Sequence, residues 1–176
     1  MNIRQLFSFL SAIFCISFFS AQGNYNTLVY KGNQEFNKKN YESSSSKYME
    51  AVKIKENDFT AHYNLGNSLY KRKMYDEAKA EYEKAELHAN SLSDKAAALY
   101  NLGNSHIEKN DSKKAAEYYK RASKQEPYNE AIRKNYEIAM LKAKEKENQK
   151  KQQGKSDGGG KDQSKDQNKG EDKGNT

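Results

Sequence analysis

Ala61-His62-Tyr63-Asn64-Leu65-Gly66-Asn67-Ser68-Leu69-Tyr70 returns, lightly edited, as Ala98-Leu99-Tyr100-Asn101-Leu102-Gly103-Asn104-Ser105-His106-Ile107. A stretch that recurs at a fixed period marks an array of like units, so the period governs every local assignment. Gly103 lies 37 residues after Gly66, and Gly32 lies 34 residues before it. Counting from each glycine, Ser44, Ala78 and Ala115 stand twelve residues on, and Tyr48, Tyr82 and Tyr119 sixteen. Ala51, Ala85 and Ala122 stand nineteen residues on. Pro127, the only proline, closes the third unit, where Glu56 and Asn90 hold the corresponding places.

Each of these glycines falls inside a helical pattern, where glycine costs about 1 kcal/mol relative to alanine. Its recurrence there predicts close approach by a second helix. The small residues Ala78 and Ala115 predict the same contact from the other side, and the aromatic (Tyr82, Tyr119) is expected to fill the gap between helix pairs. The three extra residues before Gly103 are expected to lengthen the turn through Asn90, Ser91, Leu92 and Ser93, which holds turn formers.

Apolar spacing and caps predict helices over about Tyr25–Asn37, Tyr41–Lys55, Phe59–Arg72 and Tyr75–Ala89. A fifth runs from a Ser93 or Asp94 cap to about Lys109, and a sixth over Ser112–Gln125 stops short of Pro127. The Ser43-Ser44-Ser45-Ser46 run is poor helix material, but Tyr41, Tyr48, Ala51, Val52 and Ile54 keep one helical face. Ala131, Ile132, Tyr136, Ala139, Met140 and Ala143 recur at three- and four-residue spacing, which predicts a seventh helix over about Asn129–Glu147 that caps the array.

The matched positions resemble the tetratricopeptide repeat (TPR) family over about residues 25–129. That resemblance implies an all-α fold: three antiparallel helix pairs, at about 25–58, 59–92 and 96–129, stacked in a right-handed superhelix with a concave ligand face. With the capping helix at 129–147 the TPR domain spans 24–147. Gly32, Gly66, Gly103, Ala78, Ala115, Tyr82, Tyr119 and Pro127 are its packing positions.

The flanks differ from this domain. Residues 1–22 join a short positive start to a 14-residue apolar run, Leu6 to Phe19, and close with small and polar residues. This is the pattern of a secretory signal peptide; an uncleaved membrane anchor is the other reading. Cys15, the only cysteine, excludes an intramolecular disulfide. Phe14 before it argues against a lipidated cysteine. From Lys144 onward no apolar residue occurs, and nine Lys face seven acids. Residues 148–176 are therefore expected to be a disordered Lys/Gln/Asp/Gly-rich tail.

The net charge of +7 comes from Lys interleaved with Glu and Asp, the pattern of a solvated surface, so no nucleic-acid partner is expected. His62, His88 and His106 are scattered one per helix, with no metal-ligand spacing and no phosphate loop. His62 takes the place of Leu28 and Leu99, which makes it a core or groove residue. No enzyme activity, cofactor or metal is expected.

The family resemblance implies that the first helix of each pair lines the concave face. That selects Asn33, Asn67 and Asn104, one residue after each glycine, and Phe36, Tyr70 and Ile107, four after. Lys71 follows at five, and Val29, Tyr63 and Tyr100 stand three before. A row of asparagines, each able to donate and accept, suits the backbone of an extended peptide; the alternative is that Asn after Gly simply stabilises the helix pairing. The basic clamp of TPR domains that hold a chaperone's C-terminal carboxylate is not expected. Its cationic positions fall at Val29, Ala97 and Asn101, and only Asn33 and Asn64 match it.

The whole layout also resembles the TPR proteins of the Bat (Bacteroides aerotolerance) operons. The features are the signal-like start, the two Tyr-Asn-Leu-Gly-Asn units, Asn-Tyr-Glu-Ile-Ala at 135–139 and the Lys/Gln/Gly-rich ending. This implies an exported periplasmic or envelope scaffold near the membrane. Its partners would be von Willebrand factor A domain membrane proteins, and its role would be in oxidative stress tolerance. The competing expectation is a basic surface protein that binds anionic polymers or membrane through Lys residues and the tail.

Overall fold

The structure, a computed structural model, describes residues 22–157, with side chains to 153. The signal-peptide reading, Cys15 and the tail beyond 157 lie outside the described residues. The chain divides into two units, Met1–Ala143 and Lys144–Thr176.

The described residues form seven α-helices and no strand: α1 (22–37), α2 (Tyr41–Ile54), α3 (Phe59–Lys71), α4 (Tyr75–Leu87), α5 (Leu92–Glu108), α6 (Ser112–Gln125) and α7 (Glu130–Asp157). Except at α4, which is entered from Met74 with no side-chain cap, the starts of α2 to α6 are capped by side-chain oxygens that accept otherwise orphaned backbone N–H groups. Asn40 accepts from Ser43 N, Asp58 from Ala61 N and Asp111 from Lys114 N. The fifth helix begins on Ser91, which accepts from Asp94 N, rather than on Ser93 or Asp94. The extra residues of the third unit therefore lengthen the helix and not the turn: α5 has 17 residues where α3 has 13.

The three turns inside the pairs share one geometry. Lys39, Lys73 and Asn110, each seven residues after its repeat glycine, have φ of 63°, 63° and 58°. The following N–H groups reach back to close each turn: Asn40 to Glu35 O, Met74 to Leu69 O and Asp111 to His106 O, at 2.9, 3.0 and 2.9 Å. This pattern terminates a helix and satisfies its last carbonyls.

Within each pair the tyrosine ring seats on the glycine. A Cβ built on Gly32, Gly66 or Gly103 would stand 2.6, 2.7 or 2.5 Å from the ring of Tyr48, Tyr82 or Tyr119. The close approach is thus ring against backbone within each pair, and Tyr48 and Tyr82 also belong to the core cluster that holds Leu65, Leu69, Leu99 and Leu102 across successive pairs. Ala51, Ala78, Ala85, Ala115 and Ala122 are fully buried at the repeat positions, while Pro127 is exposed in the connection to α7. The α2 serines are tolerated because they are bonded. Ser44 Oγ donates to Gly32 O and pairs with Ser68 Oγ, and Ser45 Oγ accepts from Arg72 Nη1.

Ile132 and Ala139 of α7 are buried against the end of the array, as expected of a cap. The helix runs on past Glu147 to Asp157, so the tail boundary at 148 moves. Lys, Glu and Gln sustain a helix by propensity without an apolar face, and Lys151 Nζ pairs with Glu147 Oε1 one turn back at 2.6 Å.

Candidate functional site: a trough walled by asparagines

The asparagine after each repeat glycine lies beside the ring that the glycine seats. Tyr48, Tyr82 and Tyr119 donate their hydroxyls to Asn33, Asn67 and Asn104 Oδ1 at 2.5, 2.9 and 2.7 Å. One ring therefore packs the pair and fixes the side chain that faces outward. The asparagines also join laterally. Asn101 Nδ2 donates to Asn67 Oδ1 at 3.0 Å, and Asn104 Nδ2 to Asn101 Oδ1 at 3.3 Å.

Three cavities share these walls. One of about 260 Å³ lies among Asn33, Phe36, Asn64 and Asn67. Another of about 220 Å³ lies among Phe36, Asn67, Tyr70, Lys71, Asn101 and Asn104. A third of about 160 Å³ is bounded by Tyr70, Asn104, Ile107, Glu108, Asn135 and Lys142. Because neighbours share Phe36 with Asn67, and Tyr70 with Asn104, they are successive segments of one trough across α1, α3, α5 and the start of α7.

The structure brings Asn33, Phe36, Asn67, Tyr70, Lys71, Asn104 and Ile107 to this trough as the repeat register predicts. Val29 instead packs into the core clusters around Tyr48 and Leu28. Tyr63 and Tyr100 lean on Tyr82 and Tyr119, with ring centroids 6.0 and 5.6 Å apart, and wall an adjoining slot of about 300 Å³ that shares Asn101 with the trough and is closed by Ala97 and Ile132. Asn135 and Lys142 were missed. The signal for Asn135 was present: it stands 34 residues after Asn101, so α7 continues the register as the first helix of an incomplete fourth unit. Its Nδ2 donates to Tyr100 Oη at 2.7 Å.

Glu108 is the acid in the trough wall. It accepts from Tyr70 and Tyr75 hydroxyls at 3.3 and 3.1 Å, and burial together with this carboxylate pushes Tyr70 up to about 12. Lys71 and Lys142 stand exposed on the rim. Elsewhere Lys79 and Lys109 flank Asp76, and Lys95 and Arg121 flank Glu86.

The histidines serve packing. His62 is 2% exposed, with Nδ1 2.6 Å from Glu81 Oε2 and Nε2 2.7 Å from Glu56 O. Two acceptors require two N–H donors, so the ring carries a proton; the Glu81 bond raises its pKa against the opposing effect of burial. His106, stacked on Tyr118 at 5.2 Å, is lowered, chiefly by burial and then by Lys79. Among the described residues no group of three or more His, Cys, Asp or Glu is placed to hold a metal. No described helix is long and apolar enough to cross a membrane.

Comparison with known proteins follows the same register. A profile described as tetratricopeptide repeat matches residues 57–125 and another described as TPR repeat matches residues 32–73. Together they span just over half of the 176 residues. No curated protein sequence matches. Among solved structures, the Arabidopsis OM64 TPR domain superposes with a TM-score of 0.62 at 20% identity, covering 68% of this chain and 96% of that one. The second TPR domain of human RPAP3, solved in complex with an HSP70 peptide, gives 0.63 at 17% identity, covering 68% and 98%. The TPR2AB domain of yeast Sti1 in an HSP90 complex gives 0.62 at 20% identity, covering 70% and 48%. At these identities the likeness speaks for the fold. With the repeat profiles matched, glycine seated on tyrosine in every pair and helices throughout the described residues, the chain belongs to the tetratricopeptide repeat family.

Proposed function

We propose that this protein is a non-enzymatic scaffold that holds partner polypeptides in the trough formed by α1, α3, α5 and α7. The observation that carries the reading is the continuity of three cavities along Asn33, Asn67 and Asn104, each held at its oxygen by a tyrosine hydroxyl, with Asn101 bridging the last two, an arrangement suited to a peptide backbone. Two structures of like fold were solved with HSP70 and HSP90 partners, which supports polypeptides as the ligand class. The clamp cations are absent at Val29, Ala97 and Asn101, so a C-terminal carboxylate is not the anchor here.

The setting we propose is the cell envelope, with export directed by residues 1–22 and assembly into a Bat-type complex with von Willebrand factor A domain membrane proteins. The sequence features of both ends support it. Affinity purification of the full chain from crosslinked envelopes tests both levels. Wild type should recover von Willebrand factor A domain proteins, and Asn67→Asp with Asn104→Asp should lose them. Asparagine-to-aspartate keeps the acceptor for the tyrosine hydroxyl while removing the donor. Equal recovery by a folded double variant would take the trough out of the account. Recovery of other proteins alone would remove the Bat assignment.

A further inference from the structure

Ring packing on glycine needs no hydroxyl; phenylalanine would seat equally well, and the chain uses seven phenylalanines elsewhere. Yet all three units place tyrosine there, and all three hydroxyls end on the oxygen of the asparagine that follows the glycine. An amide has one oxygen and one NH₂ group. With its oxygen accepting from a hydroxyl anchored in the packed interior, an asparagine that turned over would donate Nδ2 to that hydroxyl and leave the phenol's own O–H without its acceptor, which is costly where it is buried. Asn67 Oδ1 is held twice, by Tyr82 and by Asn101 Nδ2, and Asn101 Oδ1 in turn receives Asn104 Nδ2. Donors thus point one way along the row.

We propose that Tyr48, Tyr82 and Tyr119 are positioning residues that set the polarity of the trough: by holding the oxygens of Asn33, Asn67 and Asn104 they leave amide N–H groups as what the site offers, so it takes an extended peptide by its main-chain carbonyls. This deepens the peptide-binding reading above and rests on it. The selected chemistry is a run of acceptors. Main-chain N–H groups of the ligand contribute nothing to the row, and a strand-like peptide whose own N–H groups are blocked is still a ligand.

The test uses the ¹⁵N-labelled full chain, wild type and Tyr82→Phe with Tyr119→Phe. Without ligand, the side-chain amide order parameters of Asn67 and Asn104 should fall in the variant, while Asn33, still held by Tyr48, and the backbone stay unmoved. A peptide enriched on wild type from a random phage-displayed library is then synthesised with ordinary and with N-methylated main-chain amides. Both forms should bind wild type with Kd values within about 2-fold, and the variant should bind both about 5- to 100-fold more weakly, the cost of ordering two freed side chains. Unchanged amide order, or binding abolished by N-methylation and indifferent to the tyrosines, overturns the proposal and leaves peptide binding standing. Failure to enrich any peptide overturns the peptide-binding reading and this proposal with it.

Discussion

The ring of Tyr82 lies across the backbone of Gly66, so close that a Cβ there would fall 2.7 Å from its Cδ1 and Cε1. Alanine at 66 gains about 1 kcal/mol of helix propensity but must displace a ring that is 1% exposed and wedged in the core. Overpacking of this kind costs about 1–3 kcal/mol. Gly66→Ala is therefore expected to destabilise the domain by up to about 2 kcal/mol net in urea unfolding. In a Tyr82→Leu background the same change should cost less or reverse sign, because the two positions are coupled through contact.

The turn residues offer the opposite lever. Lys73 has φ of 63°, in the left-handed region where a side chain is strained. Lys73→Gly is expected to raise stability by about 0.5–1 kcal/mol, read as a shift in the urea midpoint at constant slope. Lys39→Gly should behave alike, and Asn110→Gly should gain less, because asparagine tolerates this conformation better.

Asp58 joins two units. Its Oδ1 caps α3 through Ala61 N at 2.9 Å and also accepts the hydroxyl of Tyr25 from α1. Asp58→Ala removes a cap and orphans a phenol, each worth about 1 kcal/mol. A loss of about 2 kcal/mol in thermal or urea unfolding is expected.

The two buried histidines should give stability opposite dependences on pH. His62 has a raised folded pKa, so its contribution is complete below the unfolded value of about 6.5 and is lost as pH rises through the folded one. His106 is lowered, so its contribution is present above about 6.5 and is lost as pH falls through the folded value. Relative to His62→Leu, wild type should lose stability as pH is raised through the neutral range. Relative to His106→Leu, it should lose stability as pH is lowered below about 6.5. Urea midpoints at several pH values read both slopes.

The repeat register alone located the helix pairs and most of the trough, because each depends on the spacing of like residues in successive units; it set small residues opposite the glycines, where the structure seats the tyrosine rings. What escaped depends on bonds rather than periodicity. The capping role of Ser91 was hidden by two equally plausible caps just after it, Ser93 and Asp94. The growth of α5 was hidden because extra residues at a unit boundary can enter either turn or helix. The helix beyond Glu147 has no apolar stripe to show it. For the asparagines, spacing places the residue but cannot tell which end of the amide is held; that needed the tyrosine hydroxyls. Val29 was assigned by register to the trough, but a β-branched apolar side chain at that height packs inward.

The central claim, that the asparagine row receives a polypeptide, is tested most directly by titrating the ¹⁵N-labelled full chain with the library-enriched peptide and following side-chain amide resonances. The account predicts that Asn33, Asn67 and Asn104 shift together and saturate with one Kd, while Asn57 and Asn110, in the turns, stay still. Shifts confined to the lysine-bearing surface or to residues beyond 147, with the three asparagines unmoved, would contradict it.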